Sequence, residues 1–495
     1  MRIHPRLIGI LLGLCSTGLA AAQTTQPGPV LLGTPFKSVA AGITISPPLG
    51  TTETRGVVGS PEVVRFVDER SKLILKVSRV VLEPDKPLPL TSWVKDKVTY
   101  PGMLELTAEQ FKADIPGSQE LRRDTTSING MEVGMVAAKF DYGLETNLMQ
   151  QAIFRASDYQ YYIVAMTTPA PRTGDLQADP NVAKAVSTFQ SVIDSVNQVD
   201  QSQIQNDRDD RLGRTRSLML NLTEPKLRAA LRRGQWLRVM QGGKDVGFSY
   251  VVEEVAHDLP RKGQPEIQTG SEGVLVGIRS RMLGANGGQV DSESWLFSTF
   301  DRKYEGFSTT TYTNTPQEGK LTSGEIGFSR WRERPVAVAP GIGKSSKEFD
   351  LGVEYKLEVT KVGRNAPNEP ITRELPPYYL PQALGYMLPR LVDRRVPKTL
   401  VFAAWVSDAG QVMYRYVDVQ AEQDANLNGR RVRAIPIVDR IGLEGPATTH
   451  YVSPEGEYLG SINNDTHTTV VATDEATLHK LWQDANFSRP GDLDR

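Results

Sequence analysis

Cysteine is all but missing from this chain: one residue in 495, Cys15. It lies in the N-terminal stretch MRIHPRLIGILLGLCSTGLAAAQ. There Arg2 and Arg6 precede an apolar run from Leu7 to Leu14, and Ala20 and Ala22 are spaced like an A-x-A cleavage site before Gln23. That pattern is a secretory leader. Lipidation of Cys15 is the minor alternative, disfavoured by the bulky Leu14 before it. Cleavage after Ala22 leaves an exported chain, periplasmic or extracellular, without cysteine. Disulfides, thiolate zinc sites and cysteine nucleophiles then drop out together. A surplus of one charge is missing too: 57 Lys and Arg stand against 58 Asp and Glu. Without a basic footprint, no nucleic-acid partner is expected. No later apolar run approaches the ~20 residues of a spanning helix, so no transmembrane segment is expected.

Motifs of common chemistries are also lacking. Four histidines follow the leader, His257, His450, His467 and His479, and none has H-x-H or H-E-x-x-H spacing. There is no G-x-S-x-G elbow. Gly284-Ala285-Asn286-Gly287-Gly288 reads as a hairpin turn rather than a phosphate loop. No cofactor, metal or catalytic residue is assigned. Asp424-Ala425-Asn426-Leu427-Asn428-Gly429 has the first half of a calcium loop but no acid at position 12, so a hairpin is the plainer reading. Two arrangements keep an enzyme in view. His450 and His467 lie on two strands about 17 residues apart and could face each other, with Asp465 or Asp474 as acidic partners; Asp291, Glu293, Asp301 and the Glu253-Glu254 pair near His257 supply carboxylates.

What is present is strand signal. Residues 23–40 are rich in Pro, Thr and Gly and read as a flexible linker. Alternation predicts a strand at Ile43–Ile45, strand candidates follow at Val63–Asp68, Lys72–Val77, Met131–Tyr142 and Gln151–Arg155, and aromatic and β-branched content marks Tyr161–Met166. The T-x-x-Q box at Thr107 to Gln110 predicts a helix start. Asp179-Pro180 predicts another, with Val182, Val186, Phe189, Ile193 and Val196 as its buried stripe.

This order over 41–199 resembles the Mog1/PsbP-like α/β sandwich. The likeness is carried by Gly42-Ile43-Thr44-Ile45-Ser46-Pro47-Pro48, by Ile128-Asn129-Gly130-Met131-Glu132, by Tyr161-Tyr162-Ile163-Val164 and by the helix through Phe189 to Ser195. The resemblance implies a non-enzymatic binding or accessory role.

Residues 200–235 read as a charged linker and a short helix, capped at Thr223 and stopped by Gly234. From 236 to 488 strands dominate, in two blocks separated by PPYYLPQALGYMLPRLVDRR. There Leu380, Leu384, Leu388 and Leu391 have helical spacing, and Pro389 predicts a break or kink. A last helix starts near Thr473, and 489–495 is a tail. Gly243-Lys244-Asp245-Val246-Gly247-Phe248 and Glu455-Gly456-Glu457-Tyr458-Leu459-Gly460 resemble hairpins of exported half-barrel proteins of the lipoprotein-carrier (LolA-like) type. That likeness implies a concave face for an acyl chain or another apolar ligand.

The fold class expected is therefore α+β: a sandwich, then a large antiparallel curved sheet or half-barrel with covering helices. The ligand-pocket candidates are Trp295 and Phe297 on the sheet and Tyr379, Leu384 and Met387 on the central helix. The function expected is that of an exported binding or accessory protein of the cell envelope, its partner a lipid, an apolar small molecule or an envelope protein. A carboxylate- or histidine-dependent hydrolase and a structural interaction module are the alternatives.

Overall fold

The computed structural model describes residues 30–482 and 487, apart from 58, 83–85, 174–175, 177, 261–270, 284–287, 316–318, 334–352, 365, 368 and 377. The leader, most of the Gly284–Gly288 turn and the tail lie outside the described residues. The chain divides into two compact units, Met1–Ser202 and Gln203–Arg495. Antiparallel strands dominate both, and six helices occur among the described residues.

The first unit contains, in order, β1 (Phe36–Ser38), β2 (Ile43–Ile45), β3 (Thr52–Arg55), β4 (Glu62–Asp68), β5 (Leu73–Val81), β6 (Trp93–Lys95), β7 (Val98–Tyr100), α1 (Met103–Asp114), β8 (Gln119–Ile128), β9 (Met131–Tyr142), β10 (Glu145–Ser157), β11 (Gln160–Pro169), α2 (Pro180–Asp194) and β12 (Asn197–Gln198). A seven-stranded sheet runs β3-β4-β5-β11-β10-β9-β8, and β1, β2 and β12 form a smaller one. Its alternate residues serve two cores. Val133, Phe154 and Tyr162 meet Phe189 and Ile193 of α2, whereas Val136, Ile153 and Tyr161 meet Met103 and Leu104 of α1.

Two helix details differ from expectation. The helix of the T-x-x-Q box starts earlier, because Glu105 accepts the Gly102 N–H at 2.9 Å and closes a box there. Asp179 caps α2 as predicted, accepting from Asn181 and Val182 at 2.8 and 3.1 Å. The α2 stripe, however, passes through Ala185, and Val186 is 45% exposed.

The second unit holds α3 (Ser202–Leu220), which begins one residue before it, then α4 (Glu224–Ala230), β13 (Gln235–Gln241), β14 (Lys244–Ala256), β15 (Gly273–Leu283), β16 (Gln289–Thr299), β17 (Tyr304–Thr315), β18 (Gly319–Glu333), β19 (Val353–Val362), β20 (Ile371–Glu374), α5 (Gln382–Leu391), β21 (Lys398–Val406), β22 (Gln411–Val419), β23 (Gln423–Leu427), β24 (Arg430–Ile441), β25 (Ala447–Val452), β26 (Tyr458–Asn463), β27 (Thr468–Thr473) and α6 (Glu475–Leu481). All these strands join one fifteen-stranded sheet, ordered β20-β19-β18-β17-β16-β15-β14-β13-β27-β26-β25-β24-β22-β21, with β23 on β24. The chain meanders outward from β13 to one edge, crosses through α5, and returns from the other edge to pair β27 with β13.

The sheet wraps around α5. Its core cluster unites α5 with inward residues of β13 to β17, β19 and the returning strands, including Val276, Phe307, Leu357, Phe402, Val417 and Ile437. The two edges are stitched together. Leu375 N–H bonds Tyr355 O at 2.8 Å, and Leu380 N–H bonds Ala403 O at 2.8 Å. Glu325 on β18 accepts from Trp405 Nε1 at 3.2 Å and Ser407 Oγ at 2.8 Å. The half-barrel with covering helices is thus corrected in one respect: the central helix is enclosed by the sheet. Seven of the ten residues of α5 are buried, leaving only Gln382, Tyr386 and Arg390 partly exposed on one face.

The residues read as a charged linker form α3 instead, a nineteen-residue helix. It has no apolar stripe, so its helical period is silent in the sequence. Polar anchors hold it: Arg211 bonds Asp418 at 2.7 Å, Arg214 bonds Thr399 Oγ1 at 2.7 Å, and the fully buried Thr215 accepts the Val401 N–H at 3.0 Å. Gly234 lies beyond the end of α4; it is small because a Cβ there would sit 1.7 Å from the Tyr250 hydroxyl. Asp424 lies in β23 and pairs with Arg431 at 2.5 Å, and Asn428-Gly429 makes a left-handed hairpin turn at φ 53° and 78°.

Candidate functional site

Helix α5 is held at both ends by buried acids that no sequence motif marks. At its start, Glu305 of β17, itself fully buried, accepts the Gln382 N–H at 2.5 Å and the Tyr379 hydroxyl at 2.9 Å. An acid is favoured at a helix N-terminus. Burial nevertheless pushes the Glu305 carboxyl up to about 7, because the bonds from Gln382, Tyr379 and Ser329 offset only part of the desolvation. At its end, Arg390 forks onto Glu253 of β14, with one contact at 2.9 Å, and both side chains are buried. Glu253 also accepts the Arg232 N–H at 2.9 Å.

Between α5 and the concave face lies a cavity of about 610 Å³. Toward β13 to β16 and β27 the lining is mainly aliphatic, with Leu237, Val239, Val251, Ile278, Leu296 and Val470 beside Gln235, Ser249 and Glu253. Alternate residues line it because successive side chains on a strand point to opposite faces. The helix contributes Gln382, Gly385, Tyr386, Pro389 and Arg390. The facing wall is polar, with Arg415, Asp439, Arg440, His450 and Tyr458. Arg415 Nε sits 2.9 and 3.0 Å from the two Asp439 oxygens. A Cβ on Gly385 would come within 2.8 Å of Arg415 Nη1, so the missing side chain gives that guanidinium its seat on the helix.

His450 stands beside this pair. Its Nε2 is 3.7 Å from Asp439 Oδ2, and its Nδ1 is 3.5 Å from the Tyr458 hydroxyl. Burial would raise the Asp439 carboxyl, but Arg415 and His450 outweigh it and hold the group well below the ordinary carboxylate range. Asp439 is thus a fixed negative charge, unsuited to trading protons near neutral pH.

Most residues singled out in the sequence lie elsewhere. None of the five ligand-pocket candidates lines the cavity. Trp295 and Phe297 point to the opposite sheet face, packing with Leu259, Leu275 and Tyr304, and their neighbour Leu296 enters the cavity instead. Tyr379, Leu384 and Met387 are buried in the core around α5. His450 and His467 are not paired: His450 is opposite Ile437 and Ser461 within the sheet, whereas His467 is exposed in the turn before β27, with φ 52°. Asp474 caps α6 through Thr477 N–H at 2.7 Å. Asp291 is taken by Arg281 at 2.7 Å, Glu293 by Trp295 Nε1 at 2.9 Å, and Asp301 by Thr299 Oγ1 at 2.7 Å. No group of three metal-ligating side chains occurs among the described residues. No helix among them is long and apolar enough to cross a membrane.

No protein-family model matches the sequence. No curated protein matches it either. Several solved structures are similar in part, two of which follow. The solution structure of cyanobacterial PsbP (CyanoP) from Synechocystis sp. PCC 6803 has 14% identity and a TM-score of 0.25, covering 36% of this chain and 98% of that one. The crystal structure of a β-barrel-like protein of domain of unknown function DUF1849 from Brucella abortus has 12% identity and a TM-score of 0.30, covering 49% and 96%.

Proposed function

We propose that this is an exported, non-enzymatic binding or accessory protein that holds a small amphipathic molecule beside α5. The observation that carries the reading is the division of the 610 Å³ cavity into a mainly aliphatic wall and a charged one. Volumes of roughly 300–1,000 Å³ with a few fixed polar groups suit small organic ligands. A lipid or similar apolar molecule with one polar end is the class that fits, its body against Leu237, Val251 and Val470 and its head toward Arg415 and His450. The Mog1/PsbP-like reading of the first unit and the lipoprotein-carrier likeness of the second belong to this same proposal.

A fluorescent fatty alcohol, neutral at its polar end, titrated into the full-length protein tests it. Ala404 lines the cavity from β21. Ala404→Trp is expected to weaken binding at least about tenfold, the loss of roughly 1.4 kcal/mol, with an unchanged melting temperature. Equal binding by the variant, or none by the parent protein, removes the proposal.

Histidine-dependent hydrolysis is the second reading, favoured by His450 and Asp439 sharing one cavity wall. It needs an imidazole nitrogen turned to substrate, and both ring nitrogens face protein groups. Turnover of an activated ester that His450→Gln abolishes would favour this reading.

A further inference from the structure

A second and larger cavity, about 1180 Å³, opens among α3, α4 and the turn that follows α5. Its polar lining is one-sided: Arg214, Lys226, Arg390, Arg394, Arg395 and Lys398 against Asp393 and Glu422. The two acids are already engaged. Asp393 is bonded by Arg395 at 3.0 Å with Lys398 at 3.5 Å, and Glu422 by Arg433 at 2.6 Å. Arg390 is turned to Glu253. Three cations are left without a carboxylate in ion-pairing range among the described residues. Arg214 bonds only Thr399, Arg394 donates Nη1 to Arg390 O at 3.0 Å with its buried Nε unbonded, and Lys226 has no ion pair.

Gathering like charges in a partly dry cleft is unfavourable. Burial holds the Lys226 ammonium below its usual range, Lys398 and Arg394 add to the effect, and Asp393 only partly opposes it. Burial likewise lowers the Arg394 guanidinium, with Arg232 adding to it. Apolar surface beside these charges comes from Leu218, Val396 and Pro397, over a buried layer of Leu391, Val392, Leu400 and Ile435. A site with convergent unpaired cations beside apolar surface is complementary to an oxyanion joined to an apolar body.

We propose that this cleft is a second ligand site, for an anionic amphiphile bearing a phosphate or carboxylate head. The site shares only Arg390 with the cavity beside α5, and its test does not depend on that cavity binding anything.

Full-length protein carrying Ala404→Trp, which fills the cavity beside α5, is titrated calorimetrically with dodecyl phosphate, laurate, dodecanol and inorganic phosphate. The charged amphiphiles are expected to bind, the better of the two naming the head group, and dodecanol is expected not to. Inorganic phosphate is expected to bind at least about tenfold more weakly than the better amphiphile. Lys226→Gln with Arg394→Gln is expected to lower affinity for the amphiphiles about a hundredfold and to reduce its salt dependence. Without ligand, Lys226→Gln alone is expected to raise the melting temperature, because it relieves repulsion. Absent binding of both anions, equal binding of dodecanol, or unchanged affinity in the folded double variant overturns the proposal.

Discussion

Ionising Glu305 puts a negative charge where no cation stands in ion-pairing range among the described residues. The folded carboxyl titrates near 7, above its ordinary 4.5. Between those values the folded state holds a proton that the unfolded chain has released. This group's stabilisation is therefore complete below about pH 4.5 and lost as pH rises through 7, a change of about 3 kcal/mol. Glu305→Gln mimics the protonated acid. Urea melts from pH 4.5 to 8 are expected to show a fall in stability for the parent protein that is flattened in the variant; parallel curves would contradict the assignment. Nothing in the sequence distinguishes Glu305 from the other acids, because its role comes from β17 meeting the start of α5 across 77 residues. The five candidate pocket residues lie off the cavity for a related reason. In Ser294-Trp295-Leu296-Phe297-Ser298 both strand faces carry apolar side chains, so alternation alone does not say which face is inward.

Elements were more legible than the contacts between them. The strands Met131–Tyr142 and Val353–Val362 are found as read, the first from an apolar run that ends at a turn and the second from alternation. The two central departures are helical. Pro389 does not break α5, although a proline inside a helix costs about 3 kcal/mol. Leu384, Met387, Leu388 and Leu391 are buried to within 1% and contribute about 1.5–3 kcal/mol each, which outweighs the loss. Arg390→Met leaves Glu253 charged and buried, so a destabilisation of about 3–5 kcal/mol is expected in denaturant melts. Much of it is expected to be recovered when Glu253→Leu is added. Helix α3 depends on polar anchors rather than on packing. Thr215→Val strands the Val401 N–H, and a loss of about 1–3 kcal/mol is expected by the same measurement. An unchanged melt would mean that the anchor does not hold the helix.

At the scale of the second unit, the long meander implied a curved sheet, and sequence spacing reached that far. Enclosure of α5 did not follow from it. It depends on the strands beside β20 meeting β21, elements with no shared motif, through Glu325, Trp405, Ser407 and the segment from Leu375 to Leu380. Enclosure is also what makes the cavity, because its lining comes from α5 and from the strands wrapped around it. A container of this kind retains its contents on purification when the ligand is bound tightly. Native mass spectrometry of the protein taken from the organism that makes it is the most direct test. The account predicts a discrete small-molecule adduct on the parent protein and one ligand fewer on folded Ala404→Trp. A bare polypeptide mass for both, or the same adduct on both, would contradict it.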